Sequence, residues 1–467
     1  MSDPIAESDA IFARAWASAI KNKFQLTTGE EQILYLSPLT QRGISGGDLT
    51  YEQVTNYLTY RFGDGLLNTN DPSFLGGGVA SYIDDLRAYF DNILTKNDRA
   101  PAVILRMAKA RKASETAQTA YETALSKAMT QWSEQKKFGI TDQPFWSWVS
   151  TGAPYLRAAD KTRNSAQTEL DSASQLYYGP QADVLATYRN SIRDAMTTDP
   201  DRNYPGRNQV GITADRDLVA QMEEVANGGN KPPAADISPY FIRVPEYSMA
   251  GYRSQMNDWM RLSTSGQRDQ VITIDIKQGR ETKWSDYGFK EIKGSGSVGL
   301  FPFFSISAGG GSSEEKQTLK TEGREDEISL SLAAVGFSLI PVTSGTWDVP
   351  NVKNLFPNLV AGAPEVLTSK HAKPISVLVG YDIALTARFG TKIKKEVHEM
   401  YERARTGGGN LRIFGYHVSG SAGGSYSDKV KTSFDDVKWD EASGTLTLTP
   451  VPNQVYPSVL GVLARRL

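Results

Sequence analysis

The residues of this chain that could do chemistry are few and scattered. Gly43-Ile-Ser45-Gly-Gly47 has the spacing of a nucleophile elbow. That motif needs a strand before the serine, a helix after it, and an acid and a histidine downstream. A helix is expected soon after, at Tyr51, but the three histidines, His371, His398 and His417, all lie far along the chain. A glycine-rich turn explains Ser45 better than catalysis does. Gly294-Ser-Gly296-Ser-Val-Gly299 matches the dinucleotide fingerprint, whose glycines must open a helix that holds a pyrophosphate at its N-terminus. Leu-Phe-Pro-Phe-Phe follows, a poor helix opening, so a strand connection is expected instead.

No two histidines have a metal-ligand spacing such as i, i+4. Asp84, Asp85 and Asp91 sit on one expected helix, in the manner of a carboxylate site for a Mg²⁺-diphosphate. Adjacent residues on a helix point about 100° apart, and no second acidic motif accompanies them, so a solvated face is expected. Gly76-Gly77-Gly78 lacks the Lys-Ser or Lys-Thr of a phosphate-binding loop. Arg106, Lys109, Arg111 and Lys112 form a basic turn whose simplest role is solvation. The expected complement is therefore no catalytic residue, no cofactor and no metal, and the protein reads more as a non-enzyme than as an enzyme.

Composition narrows the classes further. The chain has 467 residues, enough for two or three domains, a formal net charge of −2 and 22% charged residues. That balance speaks against a general nucleic-acid binder and against an acidic disordered protein. With no cysteine, a disulfide scaffold, a thiol nucleophile and a cysteine-ligated metal are excluded. No basic and apolar leader opens the sequence, and no window offers the ~18 apolar residues a membrane-spanning helix needs. The expected location is the cytoplasm, or the exterior by export without a signal peptide.

These residues must be carried by elements of two kinds. Between Pro101 and Tyr178 lie two long helices joined by an aromatic corner. The first, over 101–137, places Val103, Met107, Ala110, Ala113, Ala117, Tyr121, Ala124, Ala128 and Trp132 at steps of three or four, one apolar stripe. The second, over 155–178, carries Leu156, Ala159, Ala166, Leu170, Ala173 and Tyr177. Alanine dominates both stripes, so the two can approach closely as an antiparallel hairpin. The corner between them holds Phe145, Trp146, Trp148 and Val149. Other helices are expected over 4–24, 51–62, 79–94, 181–196 and 213–226. Asn227-Gly-Gly-Asn-Lys-Pro-Pro-Ala-Ala-Asp-Ile-Ser-Pro239 reads as a linker.

Beyond the linker one helix remains near 248–262 and period-two runs take over. Strands are expected over 271–276, 301–307, 328–340, 375–389, 411–420, 430–439 and 445–449, with one more helix over 392–405. The runs 298–307 and 328–340 alternate Ser and Gly with Phe, Ile and Leu, as an amphipathic β-hairpin with Phe301, Phe303 and Phe304 on one arm does. The expected fold is α+β in two domains: an all-α domain over 1–226 built on the helical hairpin, and a mainly antiparallel β-rich domain over 240–467. The function expected from it is non-enzymatic: a membrane-interacting or pore-forming, toxin-like protein, touching its target through Phe145, Trp146, Trp148, Val149, Phe301, Phe303 and Phe304. The alternatives are a structural or self-assembling interaction protein, and an enzyme with an inter-domain site. Expected partners are a membrane or a protein, further copies of the chain included, and no nucleic acid.

Overall fold

The computed structural model describes residues 7–94, 100–143, 145–179, 182–197, 207–211, 241–290, 292, 304–307, 327–407, 409–419, 432–449 and 455–467. The fold is α+β, with a helical N-terminal region and a strand-rich C-terminal region paired mostly antiparallel. The chain gathers into two compact units. Unit 1 holds Met1–Asp85, Gly206–Thr346 and Leu367–Leu467; unit 2 holds Leu86–Pro205 and Trp347–Val366. The units thus interleave along the sequence. The linker 227–239 and the helix expected over 213–226 lie outside the described residues.

Unit 1 opens with α1 (Glu7–Lys23). Its spacing makes one apolar face, and Phe12, Trp16 and Ile20 are fully buried. Each is worth roughly 1.5–3 kcal/mol of transfer free energy. Trp16 meets Phe414 edge to face at 5.0 Å between ring centroids. β1 (Gln32–Leu36) follows, where the sequence suggested only loop; its residues from Ile33 on are buried. α2 (Glu52–Asp64), β2 (Gly65–Asn68) and β3 (Ala80–Ser81) come next. α3 (Tyr82–Asp91) begins against Asp64, whose buried carboxylate accepts from the Ile83 N–H at 3.0 Å and the Tyr247 hydroxyl at 2.9 Å. A helix start is thereby capped from another element.

Unit 2 is built on α4 (Pro101–Lys137) and α6 (Pro154–Tyr178), antiparallel and bridged by α5 (Phe145–Gly152); α7 (Ala182–Met196) packs on α6. α4 buries Met107, Ala110, Ala117, Tyr121, Leu125, Ala128 and Trp132, a single stripe. Most of its circumference faces solvent, and its 37 residues extend about 55 Å. The register between the two helices is marked by Arg106 with Glu169 at 2.8 Å, Arg163 over the Tyr121 ring at 4.0 Å, and the Tyr155 hydroxyl donating to Gln131 at 2.7 Å.

Unit 1 resumes with β4 (Arg207–Gly211), β5 (Phe241–Pro245), β6 (Tyr247–Ser248), α8 (Tyr252–Ser263), β7 (Gln270–Ile274), α9 (Ile276–Glu281), β8 (Phe304–Ser307), β9 (Ile328–Ala334), β10 (Gly336–Pro341) and β11 (Thr343–Ser344). Its last stretch carries β12 (His371–Tyr381), β13 (Ala384–Phe389), α10 (Lys394–Thr406), β14 (Asn410–Ile413), β15 (Tyr416–Ser419), β16 (Thr432–Ser433), β17 (Val437–Asp440), β18 (Thr445–Leu448) and β19 (Ser458–Arg466). The main sheet has the order β1-β19-β12-β2-β3, with β10 also on β12; a second runs β17-β18-β13-β9-β7 and a third β16-β15-β14-β8.

Three strand expectations change. The runs 328–340 and 375–389 each break once, and together they form one antiparallel ribbon. Ile328 pairs with Phe389, Ala333 with Ala384, Gly336 with Tyr381 and Pro341 with Ser376, without a register slip. The ribbon leaves the second sheet and enters the main sheet at the break. There Asp382 adopts φ 55° and Gly336 leaves room for the Trp259 indole, which a Cβ would overlap. The buried Asp382 carboxylate takes two bonds from Arg268 at 3.0 Å and one from Ser263 at 2.9 Å, so the bend is pinned by a paired charge. The run 411–420 is itself a hairpin, turning at Phe414 and Gly415 with φ of 53° and 86°. Finally, β8 and β9 do not pair with each other: β8 lies on β14, and both edges of β9 are taken by β7 and β13. An amphipathic hairpin of these two is therefore not what the described residues form.

Candidate functional site: the tip of the helical hairpin

α4 ends in a Schellman turn. Gly139 takes a left-handed φ of 67°, its N–H bonds to the Lys136 carbonyl at 3.1 Å, and the Ile140 N–H reaches back to Gln135 at 2.8 Å. In such a turn the residue in the place of Ile140 ordinarily packs on the side chain in the place of Gln135. Here that side chain is polar and is already engaged, accepting from the Trp148 indole N–H at 2.8 Å. Ile140 is left 69% exposed, and Phe138, the helix's last cap residue, is 73% exposed. Lys136 and Lys137 precede them, at the end of the helix where its dipole favours cations.

Beneath this exposed pair the aromatic corner is internal structure. Trp148 and Val149 are 4% and 5% exposed, and Phe145 and Trp146 are half-buried. Phe145 meets Trp132 and Trp146 edge to face, at 5.5 and 4.8 Å. The Trp132 indole N–H donates to the Gln143 carbonyl at 2.9 Å. Gly152 lies so close to the Trp148 ring that a Cβ there would overlap it. Of the residues expected to meet a partner, Trp148 and Val149 are buried among α4, α5 and α6. The large apolar side chains that the tip presents to solvent are Phe138 and Ile140, beside the exposed Asp142 and Gln143. The signal was available in the string, since Phe138 falls off the period of the α4 stripe that ends at Trp132. Phe301 and Phe303 lie outside the described residues, and Phe304 opens β8.

Charge is also concentrated at this end. Residues 127–161 carry five cations and three acids, a net charge of +2 within a chain of net charge −2. Lys136 lies over the Trp132 ring at 5.1 Å and Lys127 over the Tyr155 ring at 5.0 Å, so both ammonium groups stay near the surface on aromatic supports. Among the described residues, no helix is long and apolar enough to cross a membrane.

Several of the other candidate residues make internal contacts. Ser45 is fully buried, shares a hydrogen bond with Thr50 at 2.8 Å and donates to the Val455 carbonyl at 3.2 Å. Asp85 accepts from the Leu367 N–H at 3.2 Å, and Asp91 pairs with Arg189 at 3.6 Å. His398 stacks flat on Trp439 at 5.3 Å. In the basic turn, Arg106 pairs with Glu169 and Arg111 bonds the Asp91 carbonyl. No group of three or more metal-ligating side chains converges among the described residues. Gly294 to Gly299 lie outside them. No protein-family model, curated protein or solved structure matches this chain.

Proposed function

We propose that this protein binds an anionic membrane surface, without catalysing a reaction there, through the tip of its helical hairpin. The observation that carries this reading is the side-by-side exposure of Phe138 and Ile140 on a rigid turn, flanked by Lys136 and Lys137. Burying two such side chains in the acyl–headgroup boundary contributes roughly 1.5–3 kcal/mol each. Basic residues beside them gain about 1 kcal/mol each near anionic lipid. The mode is insertion of a wedge at the interface, as an in-plane anchor does, and not passage through the bilayer. Pore formation is the finer form of this reading; residues 301–303 and 308–326, on which it would draw, lie outside the described residues.

Vesicle flotation tests it. The whole chain is expected to float with phosphatidylcholine vesicles containing phosphatidylserine and to float less with phosphatidylcholine alone. The F138S/I140S variant is expected to stay at the bottom of the gradient while keeping its helical circular dichroism, because neither side chain contributes to the core. Failure of the unmodified chain to float with either vesicle removes the reading. Release of an entrapped dye from the same vesicles separates pore formation from binding.

Self-association is a second reading, with one observation in its favour. Thr116, Thr119, Ala120, Thr123, Ala124 and Lys127 of α4, with Tyr155 of α6 beside them, line a shallow depression of about 630 Å³. Small side chains of this kind let a further helix lie close. Light scattering that finds only monomers at high concentration counts against it.

A further inference from the structure

Beside the tip, α5 and α6 wall a groove of about 870 Å³ with Tyr121 of α4 contributing to it. Its polar lining includes two cations. Arg157 and Lys161 stand one helical turn apart on α6, and among the described residues neither has an ion pair or a hydrogen bond. The Trp146 indole nitrogen is buried and has no partner there either. The one acid of the lining, Asp160, is occupied: Arg163 and Asn164 both donate to it. α6 begins at the groove with Pro154, and Ala153 before it supplies no capping side chain. Pro154 carries no N–H and the Leu156 N–H bonds the Ala153 carbonyl at 3.0 Å, so the positive charge of the groove rests on the two side chains. Val149 and Leu156 add apolar wall.

A concave site with two unpaired cations, an unpaired indole N–H and a neutralised acid selects an anion with several acceptor oxygens. We propose that this groove binds a phosphate monoester, carried either on a lipid headgroup or on a small soluble ester. Arg157 and Lys161 hold the phosphate, and the apolar wall accepts the carbon skeleton. For its lipid form the inference rests on the tip reading, which brings α5 and the start of α6 to a membrane; for soluble esters it stands alone.

The test uses the full chain, two probes and two variants. Calorimetric titration with glycerol 3-phosphate, with glycerol as the uncharged control, reads the soluble form. Flotation with phosphatidylcholine vesicles containing either phosphatidic acid, which carries the same phosphomonoester, or phosphatidylserine at matched surface charge reads the lipid form as a preference for phosphatidic acid over phosphatidylserine. R157Q/K161Q alters exposed side chains and keeps the fold. It is expected to weaken glycerol 3-phosphate about tenfold or more, as loss of two charge-assisted contacts does, and to abolish the preference for phosphatidic acid. F138S/I140S is expected to lose vesicle binding and keep glycerol 3-phosphate. Binding in one arm only supports the site and identifies its source of phosphate. The proposal is overturned if the unmodified chain prefers neither glycerol 3-phosphate over glycerol nor phosphatidic acid over phosphatidylserine. It is equally overturned if R157Q/K161Q matches the unmodified chain in both arms. If F138S/I140S still floats while R157Q/K161Q does not, the groove stands and the tip reading falls.

Discussion

Asp64 is a carboxylate placed where water cannot reach it. Burial pushes its carboxyl above the usual range, against the pull of hydrogen bonds from Ser81, the Ile83 N–H and Tyr247. The folded state therefore holds this proton more tightly than the unfolded chain does. The contribution to stability is most favourable below the unfolded value of about 3.9 and declines as pH rises through the folded value. Asp64→Asn keeps an oxygen for Ile83 and Tyr247 and removes the charge. Urea melts at a mildly acidic pH and at neutral pH are expected to show the variant gaining on the unmodified protein as pH rises; a difference that does not change with pH removes the account. Asp382 is the contrasting case, a buried carboxylate matched by Arg268 at the bend of the ribbon. Neither residue is marked in the sequence, because what distinguishes them is the company of residues far away: Tyr247 for one, Arg268 for the other. Ser45 is the same lesson reversed. Its flanking glycines have the spacing of a nucleophile elbow, and its fully buried hydroxyl is spent on Thr50 and Val455.

At the scale of elements, the hairpin shows how a thin layer of side chains stiffens a long arm. Along the shaft α4 buries Ala110, Ala117 and Ala128 between Met107, Tyr121 and Leu125, and α6 buries Ala173 beside Ser174 and Tyr177, a narrow stripe on each helix. The aromatic corner supplies what the shaft lacks, with Trp132, Phe145 and Trp148 locking α5 across its end. Gly152 is the element's narrowest tolerance, since any Cβ there meets the Trp148 ring. Gly152→Ala is expected to cost about 1–3 kcal/mol, as overpacking of a filled site does, and to shift the near-ultraviolet signal of Trp148; an unchanged urea midpoint contradicts the packing described. The two long helices were legible because their period holds for many turns. The strands were less so. β1 is five residues of Gln-Ile-Leu-Tyr-Leu, too short to show alternation, and β19 is apolar almost throughout, because both its faces are covered. The bend in the ribbon left no mark on the alternation, since it inserts no residue into the register. At the tip, aromatic content pointed to residues 145–149, yet large rings serve a hinge as well as a surface, and the exposed pair lies just before them.

For the whole molecule, the decisive fact is where the last strand goes. β19 lies between β1 and β12, buried over Ser458–Ala464, with Gly461 pressed against the Tyr35 carbonyl. Arg466 then ties three separate carbonyls, of Glu30, Ser369 and Gly288, at 3.1, 3.1 and 2.7 Å. A chain ending at Pro457 is expected to leave the amides of β1 and β12 exchanging with solvent in seconds, as hydrogen exchange would read; protection equal to that of the full chain refutes the central place of this strand. The same arrangement has a consequence for biosynthesis. A ribosome making about 5–20 residues per second finishes Gln32–Leu36 on the order of a minute before it finishes the strand those residues need. Throughout that interval the edge of the segment that β19 will cover stays open while Leu36 bonds Pro72 and Phe74, and an open edge of this kind is a template for other nascent chains.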